Sequence, residues 1–122
     1  MKNLLIIALG GAVGSILRYL GQVFISKLAT FTYPMGTFLV NLVGCFIIGL
    51  LYGLSNKYSW LTIEWRLLLI TGFCGGFTTF SSFSYESLSL IKEGNVLYFL
   101  LYTLLSLSLG LLATFGGTSL IR

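Results

Sequence analysis

Five residues near the middle of the chain, Gly75-Gly76-Phe77-Thr78-Thr79, interrupt a stretch that is otherwise hydrophobic and suited to a helix. Adjacent glycines favour irregular backbone, and threonine hydroxyls hydrogen-bond locally in competition with the helix ladder. Phe73, Phe77, Phe80 and Phe83 pass through this weak point at spacings of four, three and three residues. An unbroken α-helix would set all four rings on one face. Two further polar features sit in apolar surroundings. One is Asn41; the other is a stripe on the last segment at Tyr102, Ser106, Gly110, Thr114 and Gly117. The amide and the hydroxyls are neutral hydrogen-bond donors.

Such groups suit the handling of a small polar solute or an ion. Hydroxyls and amides line a water or cation path as well as an anion path, so the donors alone do not decide. Ring edges carry the positive end of the aromatic quadrupole and favour an anion. Donors and ring edges together replace the hydration of a small anion without a fixed cation that would trap it. A break in a membrane helix also frees carbonyl oxygens, which suit a hard cation. Catalysis has little to work with: there is no His, the only acids are Glu64, Glu86 and Glu93, and no nucleophile–base pairing is visible. Proton coupling lacks a mid-membrane acid. Cys45 and Cys74 lie in apolar segments without metal-ligand spacing and read as small buried thiols.

The elements that position these groups follow from composition. The 122 residues are 57% hydrophobic and 8% charged, with a mean hydropathy of +0.99. Soluble domains carry about 25% charged residues. The chain therefore reads as one all-α integral membrane domain in the lipid bilayer. Its seven basic residues are scattered rather than clustered, which suits membrane flanks and not a nucleic-acid partner.

Four helices are expected, at about 3–26, 34–54, 66–91 and 96–120. Lys2 and the following leucines resemble the start of a secretory signal. The apolar run continues beyond Val13, however, and three more hydrophobic segments follow, so a retained first helix is the reading. Gly10 and Gly14 make a G-x-x-x-G pair that lets another helix approach closely. Arg18, one turn later, is either a snorkelling anchor or a charge at an aqueous mouth. A loop is expected at Ala29–Tyr33, and Pro34 suits the first turn of the second helix. Thr62 is a candidate N-cap with Glu64 in the turn that follows. Residues 92–95 should form a tight turn. Asn41 either makes an interhelical hydrogen bond or faces a pore, and the last helix's stripe either packs or lines that pore.

With four spans, Lys2, Lys57, Arg66 and Arg122 share one side, against Lys27, Lys92 and the deeper Arg18 on the other. Four against three is a negligible positive-inside bias. A chain so balanced is able to insert both ways, which an antiparallel homodimer needs.

Three motifs then stand out: GGAVGSILRY at 10–19, GTFLVNLVGCFIIG at 36–49 and GFCGGFTTFSSFSYE at 72–86. Together they resemble the Fluc/CrcB fluoride channels, over three of four helices and with matching length. The resemblance implies a dual-topology, antiparallel homodimer with two fluoride pores and a broken third helix. It implies that Phe80 and Phe83 supply ring edges, that Asn41 donates to the anion, and that Tyr102 and Ser106, joined by Thr79 and Ser81, make a polar track. Arg18 would sit near the vestibule and Glu86 near a pore end. Backbone carbonyls of Gly75 and Thr78 from both subunits would hold a structural sodium ion. The implied role is passive fluoride export across the inner (plasma) membrane, with no catalytic cofactor.

Two rival readings differ in testable ways. A small four-helix multidrug transporter depends on a glutamate in its first helix, and residues 3–26 hold no acid. A noncatalytic membrane subunit would show no ion flux by itself.

Overall fold

The computed structural model describes residues 1–28 and 33–121. Most of the loop expected at Ala29–Tyr33, and Arg122, lie outside the described residues. Four helical spans among them are long and apolar enough to cross a membrane: Lys2–Leu28, Met35–Lys57, Ile63–Lys92 and Val96–Leu120. They are called helices one to four here. Each runs slightly beyond its expected ends except helix four, and helix two begins one residue later.

Pro34 lies just before helix two rather than within it, its carbonyl accepting from the Phe38 N–H at 3.1 Å. Thr62 takes the N-cap position of helix three by backbone alone; its hydroxyl makes no capping bond. The turn after helix three closes at Gly94, whose φ of 81° is the left-handed conformation that only glycine adopts freely.

Helices pair in two seams, each joining spans that run in the same direction. Helix one lies against the first part of helix three. A Cβ on Gly10 would overlap the Leu68 carbonyl, and one on Gly14 the Phe73 carbonyl. Backbone thus meets backbone, as the G-x-x-x-G pair requires. Helix two lies against helix four in the same manner, Gly49 facing the Thr114 carbonyl and Gly117 the Phe46 carbonyl. Here Thr114 and Thr118 add hydroxyl bonds to the Cys45 and Gly49 carbonyls, each at 3.2 Å. The lower part of helix four's polar stripe is therefore a packing seam. Tyr102 and Ser106 alone of that stripe stand near the broken helix.

Leucines on helix four's other faces, among them Leu104, Leu111 and Leu112, remain exposed, as a lipid-facing surface should be. The buried apolar centre is small: Phe38, Leu90 and Tyr102, flanked by Phe83 and Phe99.

Helix three is irregular over much of its length. After an α-helical turn at Ile63–Arg66 it widens into a π-helix over Leu67–Cys74, returns to α at Gly75–Phe77, breaks, and resumes at Phe80–Lys92. The break expected across Gly75–Thr79 is narrower than that. Gly75 keeps helical angles (φ −62°, ψ −36°), and the extended residues are Thr78 (ψ 157°) and Thr79 (ψ 114°). The glycine at 76 serves close approach instead: a Cβ there would run into the backbone of Gly11. The phenylalanine stripe is consequently not continuous. Phe73 and Phe77 stack before the break, at 5.7 Å and 9° between planes. Phe80 and Phe83 form a separate tilted pair after it, at 5.7 Å and 46°.

Candidate functional site

The break is held open by side chains. In a continuous helix the Thr79 N–H would bond the Gly75 carbonyl, and the Ser82 N–H the Thr78 carbonyl. Thr79 N–H instead donates to Asn41 Oδ1 at 2.8 Å, and Ser82 N–H to Thr79 Oγ1 at 3.1 Å. Asn41 Nδ2 returns a bond to the Thr79 carbonyl at 3.1 Å. The carbonyls of Gly75 and Thr78 thereby lose their helical donors. That of Gly76 is taken by Arg18 Nε at 3.0 Å. Asn41 does make the interhelical hydrogen bond, and one of its two amide hydrogens is still left over.

Beside the break lies a cavity of about 280 Å³, open to the surface of the chain and lined mostly by apolar groups. It brings together Asn41, Thr78, Thr79, Phe80, Phe83 and Ser106, six site residues expected from the sequence. Phe80 is 77% exposed, so its ring stands at the rim with most of its surface uncovered by this chain. Thr79 N-caps the helix starting at Phe80, and that helix presents its positive dipole end to the cavity.

Other expected residues stand outside this lining. Ser81 is exposed, its hydroxyl 3.4 Å from that of Thr79. Tyr102 is fully buried. Its ring packs on Phe83 at 5.0 Å and its hydroxyl donates to Glu86 Oε1 at 2.8 Å. Tyr102 thus backs the Phe83 ring from behind. Arg18 lies at the break through Gly76.

Glu86 borders a second cavity of about 440 Å³, shared with Gln22, Ser26, Tyr33, Thr37 and Ser82 among others. Its Oε2 accepts from the Thr37 hydroxyl at 2.8 Å, and Thr37 accepts from Gln22 Nε2 at 3.0 Å. Burial pushes the Tyr33 phenol above its ordinary value. Neither Gln22 nor Thr37 was among the residues expected from sequence. The available signal was their spacing: Thr37 lies one turn before Asn41 and Gln22 one turn after Arg18, on the same helix faces. Among the described residues no cluster of three His, Cys, Asp or Glu side chains is able to hold a metal ion; carbonyl oxygens at the break are the hard ligands present.

Fold and site together define a multi-pass membrane protein, four apolar spans with a polar break in the third. More particularly, the chain belongs to the CrcB family: residues 5–118 match the model of the CrcB-like (Camphor Resistance) proteins. It is similar to a protein of Leptospira interrogans named fluoride-specific ion channel FluC, with 45% identity over 99% of this chain and 95% of that one. Proteins of the same name from Gloeothece citriformis and Flavobacterium psychrophilum are 48% and 45% identical, covering 100% and 96% of this chain and 98% and 94% of theirs.

Proposed function

We propose that this protein is a passive, fluoride-selective channel. Two copies in antiparallel orientation form two pores through which cytoplasmic fluoride leaves across the inner membrane. The observation that carries the reading is the cavity at the helix-three break, where an uncharged set of donors and ring edges meets a helix N-terminus. Fluoride is small and holds its water tightly, so a pathway must offer replacement donors yet release the ion. Neutral groups do both. Asn41 supplies its remaining amide hydrogen, Ser106 and Thr79 their hydroxyls, and Phe80 and Phe83 their edges. Tyr102 fixes Phe83 in place, and Ser81 extends the hydroxyl surface toward the rim. Arg18 and Glu86 set the electrostatics of the two approaches.

The dimer reading rests on the exposed rim. Phe80, Ser81 and Gly75, on either side of the break, are all left exposed by this chain, and the balanced Lys/Arg distribution permits both orientations. A sodium ion fits the break: the Gly75 and Thr78 carbonyls are oxygens whose helical donors are diverted, and hard oxygens are the ligands such a cation takes. Bound there from two copies, it would neutralise converging carbonyl dipoles and tie the broken helices together.

Fluoride efflux from liposomes holding the purified protein, with chloride as comparison, tests the function. Rapid fluoride release with chloride retained is expected. No flux, or chloride passing as readily, overturns the proposal. For the cation, the purified dimer should melt at a lower temperature when sodium is replaced by a bulky organic cation; an unchanged melt removes sodium from the assignment.

A further inference from the structure

One chain of hydrogen bonds joins all four helices. Gln22 of helix one donates to Thr37 of helix two, Thr37 donates to Glu86 of helix three, and Tyr102 of helix four donates to the other oxygen of Glu86. Its direction follows from donor inventory. An ionised carboxylate only accepts, so the single hydrogen of Thr37 goes to Glu86 across 2.8 Å. The Thr37 oxygen is then an acceptor. Its remaining contact, at 3.0 Å, must come from the amide nitrogen of Gln22 and not from the amide oxygen. Thr37 is 2% exposed and Tyr102 is 0% exposed, while Glu86 between them is half-buried and borders the larger cavity. Gln22 is the outer end of the chain, where it borders the larger cavity.

We propose that Gln22 is a positioning residue for anion passage. As the terminal donor it commits the Thr37 hydroxyl to Glu86, so that the carboxylate stays fixed on the cavity wall with donors on both oxygens. A carboxylate so held has its charge spread over two bonds, one turn along the same helix from Phe83, which lines the smaller cavity. An acceptor at position 22 would compete for the Thr37 hydrogen, leaving Glu86 with Tyr102 alone and a second negative group nearby. The inference rests on the fluoride-channel reading, since it concerns the passage of that anion.

Substitutions of equal length separate donation from packing. Gln22→Met keeps the bulk and has no N–H. Gln22→Glu is isosteric, an acceptor when ionised and a donor when protonated. The titratable groups bordering the cavity are Glu86 from helix three and Tyr33 ahead of helix two, with Tyr102 from helix four behind them; helix one adds Arg18, one turn before position 22 on the same face. Fluoride efflux is read as the ratio of variant to unaltered channel at each pH, after subtracting leak through empty liposomes. At pH 7.5 Gln22→Glu should run about tenfold slower, the ratio recovering toward one as the pH falls toward about 4. Gln22→Met should show a smaller loss, the same at every pH. In a Thr37→Val background the difference between the two substitutions should shrink to what the added charge alone causes, because the hydrogen-bonded route to Glu86 is gone.

Full flux by both variants at all pH values overturns the proposal. So does a Gln22→Glu loss that ignores pH or persists unchanged with Thr37→Val. Should one variant fail to elute as folded protein, the other in both backgrounds still decides. An unaltered channel that passes no fluoride would defeat the functional reading itself and is distinct from all these results.

Discussion

The two parts of helix three use the same residue types for opposite purposes. Before the break, Gly72 and Gly76 press its backbone onto the backbone of helix one, and Phe73 stacks flat on Phe77. After the break, contact passes to side chains: Phe83 on Tyr102, and Glu86 between Thr37 and Tyr102. Phe80, the first residue of the second part, is largely uncovered. Phenylalanine spacing is nearly alike in both, so spacing is not what differs. The difference lies in the neighbour. A glycine-lined helix offers a flat backbone surface that locks a segment in place, whereas helices two and four offer polar side chains that leave room for a guest. The first part is an anchor, and the second presents groups to an ion.

The largest effect should come from disturbing the anchor. Gly14→Val would drive a branched side chain into the Phe73 carbonyl, with backbone on both sides and nothing able to yield. Overpacking costs about 1–3 kcal/mol even where side chains adjust; here the expected result is loss of folded protein on size exclusion and of all flux. A folded, conducting Gly14→Val channel would erase the distinction between the two parts.

Next in size is the joint between them. Asn41→Leu keeps similar volume but strands the Thr79 N–H and carbonyl, which Asn41 now satisfies. Leaving a buried backbone group unpaired costs about 1–3 kcal/mol. The thermal melt should fall accordingly and fluoride flux should drop by more than the effect of either phenylalanine substitution. Normal flux would mean that the break holds its shape without helix two.

Substitutions in the second part should spare the fold and slow the ion. Phe83→Ile and Phe80→Ile remove ring edges at the cavity, and each should lower fluoride flux about tenfold, equivalent to about 1.4 kcal/mol of barrier. The matching change before the break, Phe73→Ile, should alter stability more than flux. Equal flux losses from Phe73 and Phe83 would show that the rings act as one stripe after all.

The spans were legible in the sequence because a membrane helix needs about 20 apolar residues in a row, a signal that depends on no partner. The location of the break was legible too, as were six of the residues around its cavity. Its width was not. Thr79 is extended because its N–H goes to an amide 38 residues earlier in the chain, and Gly75 stays helical despite its freedom. Helix four shows the same limit. Its stripe at Tyr102, Ser106, Gly110, Thr114 and Gly117 is a true periodicity, yet only the glycines of helix two decide where packing ends and the cavity begins. Gln22 and Thr37 lay near helix ends, where isolated polar residues are ordinary, and only the chain from Gln22 through Thr37 to Glu86 gives them a role.

The smallest effect separates packing from passage within helix four. Thr118→Val removes a hydroxyl bonded to the Gly49 carbonyl at 3.2 Å and to the Thr114 carbonyl at 3.0 Å, at nearly constant volume. Both acceptors are helix carbonyls that keep their own backbone donors, so nothing buried is stranded. Hydrogen bonds between membrane helices average about 0.6 kcal/mol, and the melt should shift by no more than that implies. Fluoride flux should be unchanged, because Thr118 lies more than three turns beyond Ser106, the last helix-four hydroxyl at the cavity. Ser106→Ala, which also deletes one hydroxyl from the same helix, should slow fluoride while leaving the melt alone. Were Thr118→Val to slow fluoride as much as Ser106→Ala, the polar stripe would be lining a pathway along its whole length, and helix four would have no packing end.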